Sequence, residues 1–482
     1  MPRTLADLAS AAGVSPVAAW RDVEITGVAQ DSRQVAPGDL FVAVRGFVTD
    51  GHDHIGEAVV RGARAVVVER DVSVSVPVLR VADGRVALAQ VAAAFYGHPT
   101  RELFTVGVTG TKGKTTVCHL VAHLLGLERT ALVSTVTNED RDLRATTTPS
   151  GLVVQRLARE ALDAGKEAFV LETSSAALAL HRVREVDFDV GVFTNLTHDH
   201  LDFHADWRDY QEAKRLLFRG LRRDAWAVVN TDDPAAPAFL EVSPPRRLTF
   251  SVRSAADLAI AGLTLSQRGS TFALRHRGDS AEVTLRLPGE HNVSNALAAA
   301  AVAIVRGLSV EEVALSLSSA RSVLGRYQFF RREGSPEVVV DFAHTPDSFE
   351  RMLRSLRPHY GRVVSVFGCG GESDRAKRPL MGEISGRLAE VTILTSDNPK
   401  SEDPCAIIDE IERGIVPTRG KYERILDRRE AIRRALAAAG PGDVVLLAGK
   451  GHETYQIVGH DFVPYSDASF LRELGFDEAR EG

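Results

Sequence analysis

The sequence predicts an α/β protein of three domains, with a central parallel sheet built around a P-loop of the ATPase type and a C-terminal doubly wound, Rossmann-like sheet. Three observations carry that expectation. The apolar run Leu103–Val108 turns through Gly107-Val-Thr-Gly-Thr-Lys-Gly-Lys-Thr-Thr116 into a second apolar run, Val117–Leu127, which is a strand, a glycine-rich loop and a helix in succession. Strands alternate with helices along most of the chain, and then do so again in its last third. At 482 residues the chain also exceeds what one hydrophobic core usually serves. Domains are expected over residues 1–98, 99–324 and 325–482.

Within the first domain, the β-branched runs Phe41–Val44, Ala65–Val68 and Val76–Val81 are separated by Gly and Asp turns and close at Tyr96-Gly-His-Pro-Thr100. In the second, Leu103–Thr109, Ala168–Leu171, Val190–Thr194 and Ala225–Asn230 read as strands, and Ser150–Ala164 has helical periodicity. The stretch Arg247–Leu287 alternates polar and apolar residues and predicts inserted antiparallel strands, followed by a helix over Asn292–Val305. In the third, strands are expected at Val338–Phe342, Arg362–Phe367, Val391–Thr395 and Asp443–Leu447, with helices at Ile407–Arg413 and Arg428–Ala439.

Composition bounds the function. Hydrophobic content of 44% with 25% charged residues is that of a soluble globular protein, and no stretch reaches the ~18 consecutive apolar residues of a membrane span. The N-terminus has no basic start leading into an apolar core, so a cytoplasmic protein is expected. Cys118, Cys369 and Cys405 are too few and scattered for a disulfide frame. A net charge of -6 gives no electrostatic argument for nucleic acid.

The P-loop implies a nucleoside triphosphate, ATP or a close relative. Backbone N–H groups of Gly110, Thr111, Lys112 and Gly113 would close around phosphate oxygens, Lys114 would add a point charge, and Thr115 and Thr116 offer hydroxyls to a phosphate-bound Mg²⁺. Glu172 follows the strand Ala168–Leu171, at the sheet end where open α/β folds gather ligands, and is a candidate Mg²⁺ ligand. Phe193-Thr-Asn-Leu-Thr-His-Asp-His-Leu-Asp-Phe-His204 concentrates histidines and aspartates. Its spacing departs from that of zinc hydrolases, and with a P-loop upstream His200 is assigned to Mg²⁺, leaving His198 and His204 to packing or hydrogen bonding.

Taken in order, Gly107–Thr116, Glu172-Thr-Ser-Ser, Thr194-Asn-Leu-Thr-His-Asp-His-Leu-Asp, Tyr210-Gln-Glu-Ala-Lys-Arg-Leu-Leu-Phe218, His291-Asn-Val-Ser-Asn, Gly325-Arg326 and Asp341-Phe-Ala-His-Thr-Pro-Asp347 resemble the Mur ligases over essentially the whole chain. Asp31-Ser-Arg33, Thr146-Thr-Thr-Pro149, Phe367-Gly-Cys-Gly-Gly371, Lys377-Arg-Pro-Leu-Met-Gly382, Asp397-Asn-Pro399 and Gly449-Lys-Gly-His-Glu453 resemble the branch that adds a diamino acid to UDP-N-acetylmuramoyl-L-alanyl-D-glutamate in peptidoglycan synthesis.

That resemblance implies an ATP-dependent amide ligase working through an acyl phosphate. It implies two Mg²⁺ ions, one on Thr115 and Glu172 and a second on His200, with Lys214, carbamylated by CO₂, as a further anionic oxygen ligand. A lysine can be carbamylated only as the neutral amine, which calls for a desolvated site and a depressed pKa. Asn292, Asn295, Arg326, Asp341 and His344 match positions around the nucleotide. Ser32 and His52 match uridine-binding positions, and Thr147, Thr148, Ser174 and Arg182 match positions along the acceptor peptide. Asp397, Asn398, Lys400, Gly449 and Glu453 match the amino-acid pocket. A monomer is expected, with the UDP-sugar dipeptide and a free diamino acid as its partners.

The sequence departs from the family pattern in the amino-acid pocket. Lys400 stands where an arginine is usual after Asp-Asn-Pro, and Ser373 replaces another arginine, with Arg375 two positions on. Losing two bidentate forks for a carboxylate favours L-lysine or L-ornithine over meso-diaminopimelate. Ala176 and Leu180 replace a histidine and a glutamine near the acceptor. They leave room for a sister ligase of the folylpolyglutamate or amino-acid-polymer type, while a regulatory P-loop NTPase is the more distant alternative.

Overall fold

A computed structural model describes residues 3–47, 49–139, 143, 146–197 and 203–479. The chain divides into two compact units. One comprises Met1–Ala259, His276–Asp279 and Ser294–Val313, and the other Ile260–Arg275, Ser280–Val293 and Ala314–Gly482.

Among the described residues, the first unit holds the short antiparallel pair Arg3–Thr4/Glu24–Ile25 and two larger sheets. Four short strands, Gly27–Ala29, Asp39–Val42, Ala65–Val68 and Val78–Arg80, pair in parallel in sequence order. Both faces are covered, which is why their central strands are apolar without alternation. Leu40, Val42, Ala65 and Val67 pack with Leu88, Val91 and Phe95 of the helix Gly84–Tyr96. Phe41, Val66 and Val68 pack with Ile55 and Ala58 on the opposite side. Asp83 caps that helix by accepting from the N–H groups of Arg85 and Val86, and left-handed Gly97 (φ 76°) ends it.

In the second sheet, six parallel strands run in the order Arg246–Phe250, Trp226–Asn230, Val190–Phe193, Phe104–Thr109, Ala168–Glu172, Thr130–Val133. The P-loop strand thus lies between the strand ending at Glu172 and the strand ending at Phe193, and the segments after all three converge at one sheet end. The strand Arg246–Phe250 corrects the expectation that the insert begins at Arg247. It pairs in parallel with Trp226–Asn230, burying Leu248 and Phe250 in the main sheet. Leu258–Ser266 follows and pairs in parallel with Arg246–Phe250, Leu258 opposite Phe250. Gly269–His276 and Asp279–Leu285, which fall mostly in the second unit, come next, after the short turns at Gln267-Arg268 and Arg277-Gly278.

The second unit carries a sheet in the order Tyr422–Arg424, Val391–Leu394, Val363–Phe367, Val444–Ala448, Glu337–Asp341, all parallel, closed by antiparallel Gln328–Arg331 and Asp477–Glu478. Helices Pro346–Leu356, Lys377–Leu388 and Pro404–Ile415 contribute Phe349, Met381 and Ile411 to one core. Arg428–Ala438 and Asp467–Glu473 contribute Ile432 and Phe470 to the core on the other face. A small hairpin, Tyr455–Val458 with Asp461–Pro464, stands apart from this sheet. Among the described residues no helix is long and apolar enough to cross a membrane.

Candidate active site

The P-loop is held from both sides before any ligand is considered. Gly113 has φ +83° and immediately precedes the helix Lys114–Leu125, and a Cβ there would run into Oδ1 of Asn295. Asn295 therefore sits against the loop, in the helix Glu290–Arg306. The amide of Lys112 donates to Asn195 Oδ1 at 2.9 Å, and the Thr194 hydroxyl donates to Lys112 O at 2.7 Å. Thr111 is buried, with its hydroxyl 3.0 Å from the Tyr210 hydroxyl and accepting from the Thr197 amide at 2.9 Å. Lys114 Nζ folds over the loop onto the carbonyls of Gly110 (3.2 Å) and Thr111 (3.0 Å). Thr116 is buried on the same first turn.

Glu172 is 2% exposed and lies directly beneath the loop. The Thr115 hydroxyl donates to its carboxylate at 3.0 and 3.2 Å, and Thr135 donates both its amide (3.0 Å) and its hydroxyl (3.1 Å) to Oε2. A hydroxyl and a carboxylate converging at the end of a phosphate loop are hard oxygen donors of the kind Mg²⁺ takes, so Thr115 and Glu172 fit that ion. Thr135 carried no motif signal in the sequence. Among the described residues, no three His, Cys, Asp or Glu side chains gather into a metal cluster. His200 and His198 lie outside the described residues, while His204 is buried with Nδ1 3.1 Å from Asp209 Oδ2.

Lys214 sits on the helix Trp207–Arg219, which Asp206 caps by accepting from the Asp209 amide. Its side chain is 1% exposed. Nζ donates to Gly110 O at 2.8 Å and lies 4.5 Å from the centroid of the Tyr210 ring. One helix thus sends both Lys214 and Tyr210, four residues apart, onto the P-loop.

The residues matched to the acceptor peptide also come together. The Thr148 hydroxyl donates to Glu172 O at 2.7 Å and accepts from the Ser174 amide at 3.1 Å, while Arg182 Nη1 donates to Thr148 O at 2.8 Å. Burial, with Arg85 nearby, lowers the pKa of Arg182. The Thr147 carbonyl accepts from Asn138 Nδ2 at 3.2 Å. In the four-stranded sheet's domain, the Ser32 hydroxyl donates to Glu57 at 2.7 Å. Both ring nitrogens of His52 are engaged within the chain, Nε2 accepting from the Glu69 amide at 2.9 Å and Nδ1 lying 2.6 Å from Asp50 Oδ1.

In the second unit, Asn292 spends one amide N–H on Pro288 O at 2.8 Å. Asp341 Oδ2 accepts from the Tyr327 amide at 2.8 Å, and desolvation raises its pKa while Arg326 opposes the rise. The Arg326 guanidinium covers the Phe342 ring at 4.8 Å, and the His344 ring packs against the same ring, its Nδ1 2.8 Å from Phe342 O. Arg326, Asp341 and His344 thus form one cluster.

A second cluster lies at the carboxyl ends of the strands Val391–Leu394 and Val444–Ala448. Lys450, fully buried and part of the Gly449–Glu453 motif, donates from Nζ to Asn398 Oδ1 and Glu453 Oε2, both at 2.7 Å, with Asp397 Oδ1 at 3.5 Å. Asn398 Nδ2 donates to Glu453 Oε2 at 3.0 Å. Burial raises the pKa of Glu453 against the pull of Lys450. Gly449 N donates to Asp341 O at 3.1 Å. Lys400 adopts φ +52° beside this cluster. Below it, fully buried Arg378 reaches Glu402 (2.9 and 3.0 Å), Glu410 (2.9 Å) and Gly370 O (3.1 Å). Arg375 pairs with Glu410. Both fully buried cations lie inside motifs visible in the sequence, Arg378 in Lys377–Gly382 and Lys450 in Gly449–Glu453, and such residues are rarely fully buried unless paired.

Sequence signatures of the family cover this architecture in order. Mur ligase family, catalytic domain, matches residues 24–96; Mur ligase middle domain, 108–303; and Mur ligase, glutamate ligase domain, 325–451. A UDP-N-acetylmuramoyl-L-alanyl-D-glutamate–2,6-diaminopimelate ligase from Geobacillus kaustophilus is 43% identical over 93% of this chain and 94% of its own. One of the same name from Caldanaerobacter subterraneus is 41% identical over 94% and 95%. A solved structure of a ligase of that name superposes with TM-score 0.68 at 31% identity, covering 98% of both chains.

These relatives overturn the preference for L-lysine or L-ornithine, because each is named for 2,6-diaminopimelate. The inference from missing arginine forks treated bidentate geometry as necessary, whereas a lysine ammonium pairs a carboxylate as a point charge. With its signatures and its relatives both spanning the chain, the protein belongs to the Mur ligase family of ATP-dependent, peptide-forming ligases.

Proposed function

We propose that this ligase adds meso-diaminopimelate to UDP-N-acetylmuramoyl-L-alanyl-D-glutamate through an acyl phosphate. The observation that carries the reading is the convergence of Lys114, Thr115 and buried Glu172 at one phosphate loop, with the Thr148 hydroxyl bridging Glu172 O and the Ser174 amide and Arg182 bonded to Thr148 O. An acceptor carboxylate oxygen attacks the γ-phosphorus of ATP and ADP leaves. The amine nitrogen of the diamino acid then attacks the acyl carbon, the bond to phosphate breaks, and the nitrogen loses a proton. Positioning and charge neutralisation account for most of the rate in such transfers.

Lys114 neutralises the β- and γ-phosphates, leaving the loop carbonyls it now contacts. Thr115 and Glu172 would hold one Mg²⁺, and His200 with carbamylated Lys214 a second; the ions would offset repulsion between ATP and the incoming carboxylate. Carbamylation forms an N–C bond from the Lys214 amine to CO₂ with loss of a proton, and the remaining N–H can keep its bond to Gly110 O. Asn292 and Asn295 would contact the nucleoside, Arg326, Asp341 and His344 would close on it, and Ser32 and His52 would shape the uridine site. Asp397, Asn398 and Glu453 face the amino acid's ammonium end, and the Lys400 cation faces its second carboxylate. Dependence on ATP supports the cytoplasmic location.

The test is phosphate release with ATP, Mg²⁺ and the UDP-sugar dipeptide, comparing meso-diaminopimelate, L-lysine and L-ornithine, with mass spectrometry of the product. Ligation of diaminopimelate alone is the expected result. Phosphate release without any amino acid would instead favour a regulatory NTPase, and turnover only with a different acceptor would favour a sister ligase.

A further inference from the structure

The loop Asp397-Asn-Pro-Lys400 does not set its own shape. Gln456 Nε2 donates to the carbonyls of Asp397 (2.9 Å) and Ser396 (3.3 Å). The Ile457 amide donates to Asn398 Oδ1 at 3.0 Å, sharing that acceptor with Lys450. Lys400 N donates to Ile457 O at 3.0 Å and Lys400 O accepts from Gly459 N at 2.9 Å, so both backbone polar groups of this residue are fixed from one place. Apart from Lys450, the donors and acceptors facing the loop in these contacts belong to the hairpin Tyr455–Val458/Asp461–Pro464 and its turn, while on the other side the Gly371 amide donates to Asn398 O at 2.8 Å. That hairpin lies beyond residue 451, where the match to the glutamate ligase domain ends.

Two features of the loop need an outside template. Lys400 holds φ +52°, a conformation that costs an L-residue about 1–2 kcal/mol and persists only when its surroundings impose it. Asn398 must present Oδ1 and Nδ2 in a fixed sense, since Oδ1 accepts from Lys450 and Ile457 while Nδ2 donates to Glu453. The hairpin supplies both constraints, through the Lys400 bridge and through the Ile457 amide.

We propose that the Tyr455–Pro464 hairpin is the specificity-determining element of the amino-acid site, with Gln456 its principal positioning residue. It holds the Lys400 cation and the Asn398 amide where an amino acid carrying a second carboxylate is told from one that lacks it. The proposal rests on the amino-acid site read above. Gln456 itself touches the loop backbone and acts on the substrate only through that loop.

The experiment compares the intact enzyme with Gln456→Met, a side chain of similar length with no donor, and Gly459→Ala. The second variant strains a turn residue at φ +63° whose Cβ would meet nothing within 4 Å. The readouts are kcat/KM for meso-diaminopimelate divided by that for L-lysine, the KM for ATP, and the melting temperature. In both variants the discrimination ratio should fall about tenfold, as expected for the loss of one or two positioning hydrogen bonds, with KM for diaminopimelate rising and KM for ATP unmoved. Gln456→Lys, which restores a donor, should recover part of the ratio. A lower melting temperature with an unchanged ratio would mean that the hairpin only stabilises the domain, and would overturn the proposal. A wild-type enzyme preferring lysine would sink the choice of diaminopimelate in the preceding reading, while a collapse of that preference in the variants would still support the hairpin's role.

Discussion

Lys214 Nζ and the Gly110 carbonyl, 104 residues apart in the chain, meet at 2.8 Å in the interior of the central domain. The contact ties a helix lysine to the backbone of the phosphate loop, so its loss should be felt in catalysis more than in folding. Lys214→Met, which keeps the stem and removes the amine, should lower kcat by about 10²–10³, the usual cost of deleting one preorganised electrostatic group. ATP affinity, measured by calorimetry, should change by less than kcat does. An enzyme with normal turnover after this change would rule out both the carbamate and the positioning role.

Gly113 and Asn295 give a two-residue test of the loop. Gly113→Ala introduces a Cβ at φ +83° directly against Asn295 Oδ1. Strain of about 1–2 kcal/mol from the backbone alone adds to the clash. We expect ATP binding to weaken at least tenfold in Gly113→Ala. In the double variant Gly113→Ala/Asn295→Ala the clash is relieved, so the effects should be non-additive in a double-mutant cycle of ATP binding constants.

Glu402 offers a pH signature in the other unit. Its hydrogen bonds with Arg378, and the bond it accepts from the Glu372 amide, hold its carboxyl at about 2, below its ordinary 4.5. A depressed folded-state pKa contributes stability that is fully present above the unfolded value and is lost as pH falls through the folded one. The difference in melting temperature between wild type and Glu402→Gln should therefore be constant above about pH 5, shrink between about 4.5 and 2, and vanish below. A difference that stays constant across that window would show that Glu402 is not held ionised by Arg378.

Lys400 should separate stability from recognition. Lys400→Gly removes the penalty of φ +52° and should leave the melting temperature unchanged or raise it, by the equivalent of about 1 kcal/mol. The KM for diaminopimelate should rise at least tenfold because the cation is gone, a loss comparable to a charge-assisted hydrogen bond. Equal KM values in the two enzymes would remove Lys400 from the amino-acid site.

The sequence revealed those parts of the fold whose physics is local. The strand–loop–helix around Gly107–Thr116 could be read because glycine placement, apolar runs and a lysine at the helix start coincide within a few residues. Glu172 was found because it follows an apolar strand. By contrast, an insert beginning at Arg247 takes in most of the strand Arg246–Phe250: five residues with two exposed arginines carry no mark of parallel pairing, which is decided by the neighbouring strand Trp226–Asn230. Thr135, Tyr210 and Lys450 act through partners 37, 99 and 52 residues away, distances over which no periodicity speaks. The preference for lysine or ornithine fails for a different reason: a lysine lacks the arginine's fork but keeps its charge.

The strand register adds a consequence for assembly. Val108, two residues before Gly110, lies opposite Glu172 in the parallel pairing of Phe104–Thr109 with Ala168–Glu172. Parallel neighbours need a crossover between them, so this pairing closes a long loop, an entropically slow step. The carboxylate and the phosphate loop therefore become neighbours only after that crossover is in place. ATP can stabilise the finished domain by mass action, but it has no site to grip on a chain still folding. Added nucleotide should slow unfolding while leaving the refolding rate unchanged.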